Sequence, residues 1–326
     1  MLPTKRGQTG DVAGLDDLHA GEPMSVSEVR RAVVASPRWA LFLRALWVAL
    51  IPGSLLFAGM QVSVHASHGM IGADSHAYWL AARDPSSWYT RPPASWDAYL
   101  YSPAFAQVLW PLARAPWHVF QVLWAMGQAG VLAWLLAPLG IRKALTLAPL
   151  FVTELLLGNL YIFFAAALVL SIHRTPGLLS LPILTKIAPG CVGIWWLVRR
   201  EWRLASQCVA ATVLIIVVSA ALAPDAWWNW VQFLVANAAT SRGGTAGIRL
   251  AGAVLVVIWA ARRGRAWLLA PALILGCPVI GGYGPLAILS ALPRLLRWEP
   301  RHALPMRRQQ GEAAIPTDDC PTSVAL

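Results

Sequence analysis

Charge is what this sequence has least of. Only 13% of its 326 residues are charged and 57% are apolar, whereas about a quarter of a soluble chain is charged. A soluble protein of this length needs a charged surface over its core, and this chain has too few charges to build one. Lipid is therefore the expected solvent. Acids are scarcer still, 15 against 26 lysines and arginines, for a net charge of +11. Only six of them, Asp74, Asp84, Asp97, Glu154, Glu201 and Asp225, lie between Ala40 and Pro293.

Other absences close off whole classes of function. No Gly-rich phosphate loop, Gly-x-Ser-x-Gly elbow or Asp-x-Asp pair occurs, which disfavours an ATPase and a soluble nucleotide-sugar enzyme. The four cysteines make no disulfide framework: Cys191, Cys208 and Cys277 sit in apolar runs and Cys320 in a polar tail. His65 and His68 have no carboxylate or cysteine at metal-ligand spacing, so neither a metal nor a cofactor is expected. The basic residues form short clusters between apolar runs, Arg199-Arg200-Glu201-Trp202-Arg203 and Arg262-Arg263-Gly264-Arg265. That is the pattern of cytoplasmic loops under the positive-inside rule, and no nucleic-acid partner is expected.

What the chain does have is apolar runs and 18 tryptophans, several of them at the ends of those runs, where an amphipathic ring favours the headgroup region. The reading is an all-α polytopic membrane protein with the lipid bilayer as its surroundings. A first span is expected over residues 39–61, with further spans over 102–115, 117–136, 143–157, 159–172, 178–198, 204–223 and 248–261. Two more are expected in 266–296, broken at Gly281-Gly282-Tyr283-Gly284-Pro285, for ten in all. Several are shorter than the ~17 to 25 residues of a full crossing, so re-entrant or broken helices are part of the expectation. Residues 1–38 hold five basic and five acidic side chains and no early apolar stretch. They are read as a disordered cytoplasmic tail rather than a cleavable signal peptide, with Trp39 onward as an uncleaved anchor and 297–326 as a second cytoplasmic tail.

Both termini inside puts 62–101 and 224–247 outside as loops. Four of the six acids, Asp74, Asp84, Asp97 and Asp225, then fall outside, so acidic chemistry belongs to the outer face of the plasma membrane. The first loop is too aromatic for a solvated linker and reads as a binding face against the bilayer. In the second, Trp227, Trp230 and Leu234 share a helix face, which predicts a short interfacial helix.

Asp74 is the candidate catalytic base. If a helix begins near Ala73, Asp74 and Tyr78 form an i, i+4 pair on one face; Asp74 as a simple N-cap is the competing reading. Tyr99-Leu100-Tyr101-Ser102-Pro103 marks a helix start at Pro103, and its tyrosines either stack on a sugar or join the aromatic belt. Lys186 is a cation inside a long apolar run, where insertion costs ~2.5 to 3.5 kcal/mol, and is a functional candidate on that ground. Its expected partners are the phosphate of a lipid-linked substrate or Glu154. For Glu154, substrate contact and structural pairing stay open. His76, Asn159, Arg83, Arg91 and Arg242 complete the set of candidate substrate contacts.

Four motifs in order carry a resemblance. Asp74-Ser75-His76-Ala77-Tyr78 looks like Asp-x-x-x-Tyr after a first span, and Tyr99-Leu100-Tyr101-Ser102-Pro103 looks like Tyr-x-Tyr-x-Pro. Lys186-Ile187-Ala188-Pro189 is similar to an intramembrane Lys-x-x-Pro, and Arg199-Arg200-Glu201-Trp202-Arg203 to Arg-Arg-x-Trp-Arg. Together they resemble glycosyltransferase family 87, membrane enzymes of the GT-C type. The chain departs at Gly158-Asn159-Leu160-Tyr161, where members commonly show Gly-Gln-x-Asn. The resemblance implies a polyprenyl-phosphate-linked sugar donor, a mannosyl group in the first instance, and a glycolipid or glycan acceptor. It implies inverting transfer on the extracytoplasmic face, with Asp74 taking the acceptor proton and Lys186 or the outer arginines meeting the leaving phosphate. A non-catalytic membrane scaffold of the same fold and a lipid or sugar transporter are the alternatives.

Overall fold

The computed structural model describes residues 37–93, 95–186, 188–238, 245–277 and 283–298. Most of the two expected tails, Arg242, and Gly281-Gly282 of the expected break lie outside the described residues. Among those described, all regular structure is helical. The chain divides into two compact units, Met1–Leu55 and Leu56–Leu326; the site and its framework lie in the second.

Helix α1 (Pro37–Ser67) is followed by α2 (Ala73–Arg83), α3 (Pro103–Ala113) and α4 (Trp117–Leu136). Then come α5 (Ile141–Leu147), α6 (Val152–Leu157) and α7 (Tyr161–His173), with the short α8 (Ser180–Thr185) and α9 (Ile194–Val198) after them. The rest is α10 (Trp202–Leu222), α11 (Pro224–Ala238), α12 (Thr245–Arg263), α13 (Leu269–Gly276) and α14 (Leu292–Leu295). Helix α11 is the short helix expected from the spacing of Trp227, Trp230 and Leu234.

Among the described residues, four helices are long and apolar enough to cross a membrane: Leu41–Ser67, Trp117–Leu139, Trp202–Leu222 and Thr245–Arg263. A fifth crossing is available if Ile141–Leu157 and Tyr161–His173, bent by 116° at their junction, count as one broken span. The stretches expected as spans over 102–115, 178–198 and 266–296 form shorter helices and 3-10 turns. Proline, which lacks a helical donor, stands at the start of several of these pieces: Pro103 opens α3, Pro176, Pro189 and Pro285 lie in the first turns of 3-10 segments, and Pro293 lies in the first turn of α14. The first span also runs further than expected, to Ser67, and takes in His65, whose Nδ1 donates to Gln61 O at 2.7 Å.

Helix α7 is the buried axis of the second unit, with Ile162, Ala165 and Leu168 fully enclosed. Helices α12 and α13 close on each other through small residues; a Cβ on Gly276 would lie 3.3 Å from the Ala253 Cβ, the kind of close approach by which membrane helices gain packing contacts without a hydrophobic driving force. Apolar side chains of α10, Val213, Leu214, Val217 and Val218, stay exposed, as a lipid-facing surface requires. Burial in this unit is therefore concentrated around α7 and the turn that introduces it.

Candidate functional site

The site is built where α2 begins. Gly72 precedes it at φ +78°, a conformation favourable only to glycine, and a Cβ there would collide with Gln121 and Trp117. Its N–H donates to Leu156 O at 2.7 Å, tying the start of α2 to the end of α6. Asp74 thus sits in the first turn, where a carboxylate meets the positive end of the helix dipole. The N-cap reading of Asp74 is corrected here: Gly72 holds the cap position, without a side-chain cap bond.

The Asp74 carboxylate instead reaches across to the α6–α7 turn, where Asn159 Nδ2 donates to Asp74 Oδ2 at 2.6 Å. That turn is held from several sides. Gly158 ends α6 at φ +74° and Asn159 Oδ1 accepts the Leu160 N–H at 2.7 Å. Trp124 Nε1 donates to Gly158 O at 2.8 Å, and Gln128 Nε2 donates to Asn159 O. Ser75, next to Asp74, fills the space where a Gly158 side chain would be. Gly158→Ala therefore carries a left-handed backbone cost of ~1–2 kcal/mol plus a clash with Ser75. A lower melting temperature is expected for the purified protein, while Gly130→Ala in α4, with nothing within 4 Å of the added Cβ, is expected to be neutral or better. Equal melting of the two variants would remove the constraint assigned to the turn.

Tyr78 lies one turn beyond Asp74 on the same face. Its hydroxyl is 3.1 Å from that of Tyr101, and the rings meet edge-on at 5.3 Å. Burial pushes both phenols above their ordinary range, and the nearby Asp74 charge pushes them further in the same direction. Both stay neutral hydrogen-bonding groups. Asp74 is itself half-buried; burial raises its carboxyl above the ordinary aspartate range, against the opposing pull of the Lys186 charge and the Asn159 amide.

Lys186 caps the C-terminal end of α8 and places Nζ 3.9 Å from the centre of the Tyr161 ring, with Tyr101 at 5.9 Å and Phe164 at 6.0 Å. A cation over ring faces is stabilised by their quadrupoles while its N–H donors stay available. Glu154 is the third ionisable group. Its Oε1 accepts the Tyr161 N–H, so it caps the first turn of α7, and its Oε2 is buried without a hydrogen-bond partner. Lys186 and Glu154 act on each other electrostatically without a direct ion pair between them among the described residues.

Asp74, Tyr78, Tyr101, Asn159, Glu154 and Lys186 are thus brought together, although they come from four separate stretches of chain. Other candidates are placed elsewhere. His76, two residues and so about 200° around α2 from Asp74, donates from Nδ1 to Asp97 Oδ1 at 2.6 Å. Arg91 pairs with the other Asp97 oxygen at 3.2 Å. Arg83 donates to Ala113 O and lies over the Trp79 ring. Tyr99 is buried, donating to Ser102 O at 2.6 Å and accepting from the Ala106 N–H at 3.0 Å, so its hydroxyl secures the start of α3. Arg242 lies outside the described residues. Gln128 and Tyr161 were missed in the sequence; the signal for Gln128 was an amide in the middle of an apolar helix, which in lipid needs a partner.

The arrangement combines a carboxylate fixed in place, a cation nearby and a lining of neutral phenols, inside a helical membrane protein. Chemically it can accept a proton while a negative charge develops a short distance away. The family model described as glycosyltransferase family 87 matches residues 99–308, a stretch that takes in Tyr101, Glu154, Asn159 and Lys186 and begins after Asp74. No curated protein and no solved structure matches the chain.

Proposed function

The chain belongs to glycosyltransferase family 87, and from that premise we propose that it moves a sugar, mannose in the first instance, from a polyprenyl-phosphate donor to a glycolipid or glycan acceptor at the outer face of the plasma membrane. The observation that supports this best is the Asn159-anchored Asp74 carboxylate with the Lys186 charge close enough to act on it. In this reading the fold is a GT-C-type bundle in which the short, proline-divided helices complete a count of about ten membrane segments.

The reaction needs one proton acceptor and one anion site. The acceptor hydroxyl attacks the anomeric carbon of the donor sugar as its proton passes to Asp74. The bond from that carbon to the phosphate oxygen breaks, and its electron pair leaves with the polyprenyl phosphate. A single displacement of this kind inverts the anomeric centre. Asn159 fixes Asp74 through Oδ2; among the described residues no protein group bonds Oδ1, which leaves that oxygen to the acceptor. Lys186 meets the charge developing on the phosphate as an electrostatic stabiliser. Tyr78 and Tyr101, as neutral donors, orient sugar hydroxyls. Glu154 keeps the start of α7 in place and is a positioning residue. With Arg83 and Arg91 engaged in protein contacts, Lys186 is the cation assigned to the phosphate.

The test is transfer by the purified protein in lipid nanodiscs from radiolabelled polyprenyl-phospho-mannose and, separately, from a nucleotide-linked mannose. Product from the first donor alone, with inverted anomeric configuration, is expected. Product from the nucleotide donor, or retention of configuration, would overturn the reading.

A further inference from the structure

A concavity opens at the other end of α2. It has a volume of about 670 Å³ and lies between the 85–90 corner, α3, the end of α10 and the start of α11, within the size range of small-molecule sites. Its lining sets three aromatic side chains, Trp88, Tyr89 and Trp110, beside Thr90, Gln107 and Asn229, with small and apolar residues between them. No charged side chain lines it. Ala82, in its wall, is eight residues after Asp74 on one helix, a distance of about 12 Å along the axis.

The aromatic wall is fixed in advance of any ligand. Tyr89 is held at φ +60°, a conformation costly for a bulky residue and one that persists where the surroundings over-determine it. Its hydroxyl donates to Tyr101 O at 2.8 Å, and its ring packs 5.3 Å from Phe233 and 5.9 Å from Tyr99. Trp88 Nε1 donates to Ala81 O. Tyr89 therefore joins this cavity to the Tyr101 that stands beside Lys186.

We propose that this cavity binds a neutral, hydroxyl-rich ligand: the part of the acceptor glycan beyond the hydroxyl that is glycosylated. The assignment rests on the transferase reading above and extends it to the acceptor. Flat rings meet the C–H face of a pyranose, while amides and hydroxyls meet its rim. Gln107 donates to Ser219 O at 3.3 Å, which leaves its second N–H and its carbonyl for a ligand. The Asn229 amide makes no hydrogen bond among the described residues. Arg114 lies over the Trp110 ring, 3.9 Å from its centre, and is not part of the lining; no cation on the cavity wall itself would meet a phosphate. A lipid tail would strip these amides of water without replacing their bonds, at ~1–3 kcal/mol for each group left unsatisfied.

The experiment is saturation-transfer NMR of the full chain in nanodiscs with a neutral mannotriose, with phytanol as a competing isoprenoid. Saturable binding is expected, weakened about tenfold by Trp110→Ala and by Asn229→Ala, and unmoved by phytanol. Trp110 is half exposed and Asn229 is polar and on the surface of the cavity, so both variants are expected to fold; their melting curves check this. Absence of mannotriose binding, binding indifferent to both substitutions in folded protein, or displacement by phytanol overturns the assignment, the last in favour of a lipid tail. A chain that binds mannotriose through Trp110 and Asn229 but uses no polyprenyl-phosphate donor loses the donor reading and keeps the cavity. One that transfers sugar with binding untouched by either substitution does the reverse.

Discussion

Asp74→Asn is expected to leave the protein folded and membrane-inserted and to lower kcat by ~10²- to 10⁴-fold, the contribution of a positioned general base. The substitution is nearly isosteric, and the new amide oxygen still accepts from Asn159, so the contact that holds α2 to the α6–α7 turn survives. What is lost is the ability to take a proton. The wild-type pH profile checks the same assignment. Burial raises the Asp74 carboxyl and outweighs Lys186 and Asn159, which lower it, so the ionised base is populated only above the ordinary aspartate range. The rate should climb with pH through that raised value and fall below it, where the carboxyl is protonated. Near-normal turnover of the variant, or an acid limb that persists unchanged in its residual rate, would remove Asp74 from the chemistry.

Lys186→Met is expected to cost ~10²- to 10³-fold in kcat, as does loss of one electrostatic group at a developing anion. Two further readouts separate this role from a structural one. The Lys186 charge lowers the Asp74 carboxyl, so without it the acid limb of the pH profile should move to higher pH. Thermal stability should hold or rise, because an apolar side chain avoids the desolvation cost of burying a charged group. A fall in melting temperature with kcat retained would instead make Lys186 a structural cation.

How much of this was legible in the sequence depended on range. Local spacing was sufficient for the Asp74 and Tyr78 face, the helix start at Pro103 and the helix at Pro224–Ala238, since each is decided within a turn or two of chain. Lys186 and Glu154 stood out because a charge inside an apolar run is conspicuous in the sequence itself. The bond from Asn159 to Asp74 spans 85 residues, and no periodicity encodes a partner at that distance. His76 shows the same limit in reverse: its proximity in sequence to Asp74 implied a shared site, but helix rotation gave it to Asp97 instead. Span lengths were misread where proline recurs, because average hydropathy does not register a missing backbone donor. Gly158-Asn159 looked like a departure from a family pattern, yet it is the turn that fixes the candidate base.

That turn has a consequence for any mutational scan of this protein. It breaks the helical path at a bend of 116°, where the first N–H groups of α7 have no carbonyls of their own helix to meet. Two side chains take that duty: Asn159 Oδ1 for Leu160 and Glu154 Oε1 for Tyr161. Asn159 spends its remaining amide on Asp74. One residue thus serves the biogenesis of the broken helix and the alignment of the base, and selection on either will look like selection on both. Yield and turnover will covary across substitutions at position 159, whereas Asp74→Asn, which keeps the bond to Asn159, will part them.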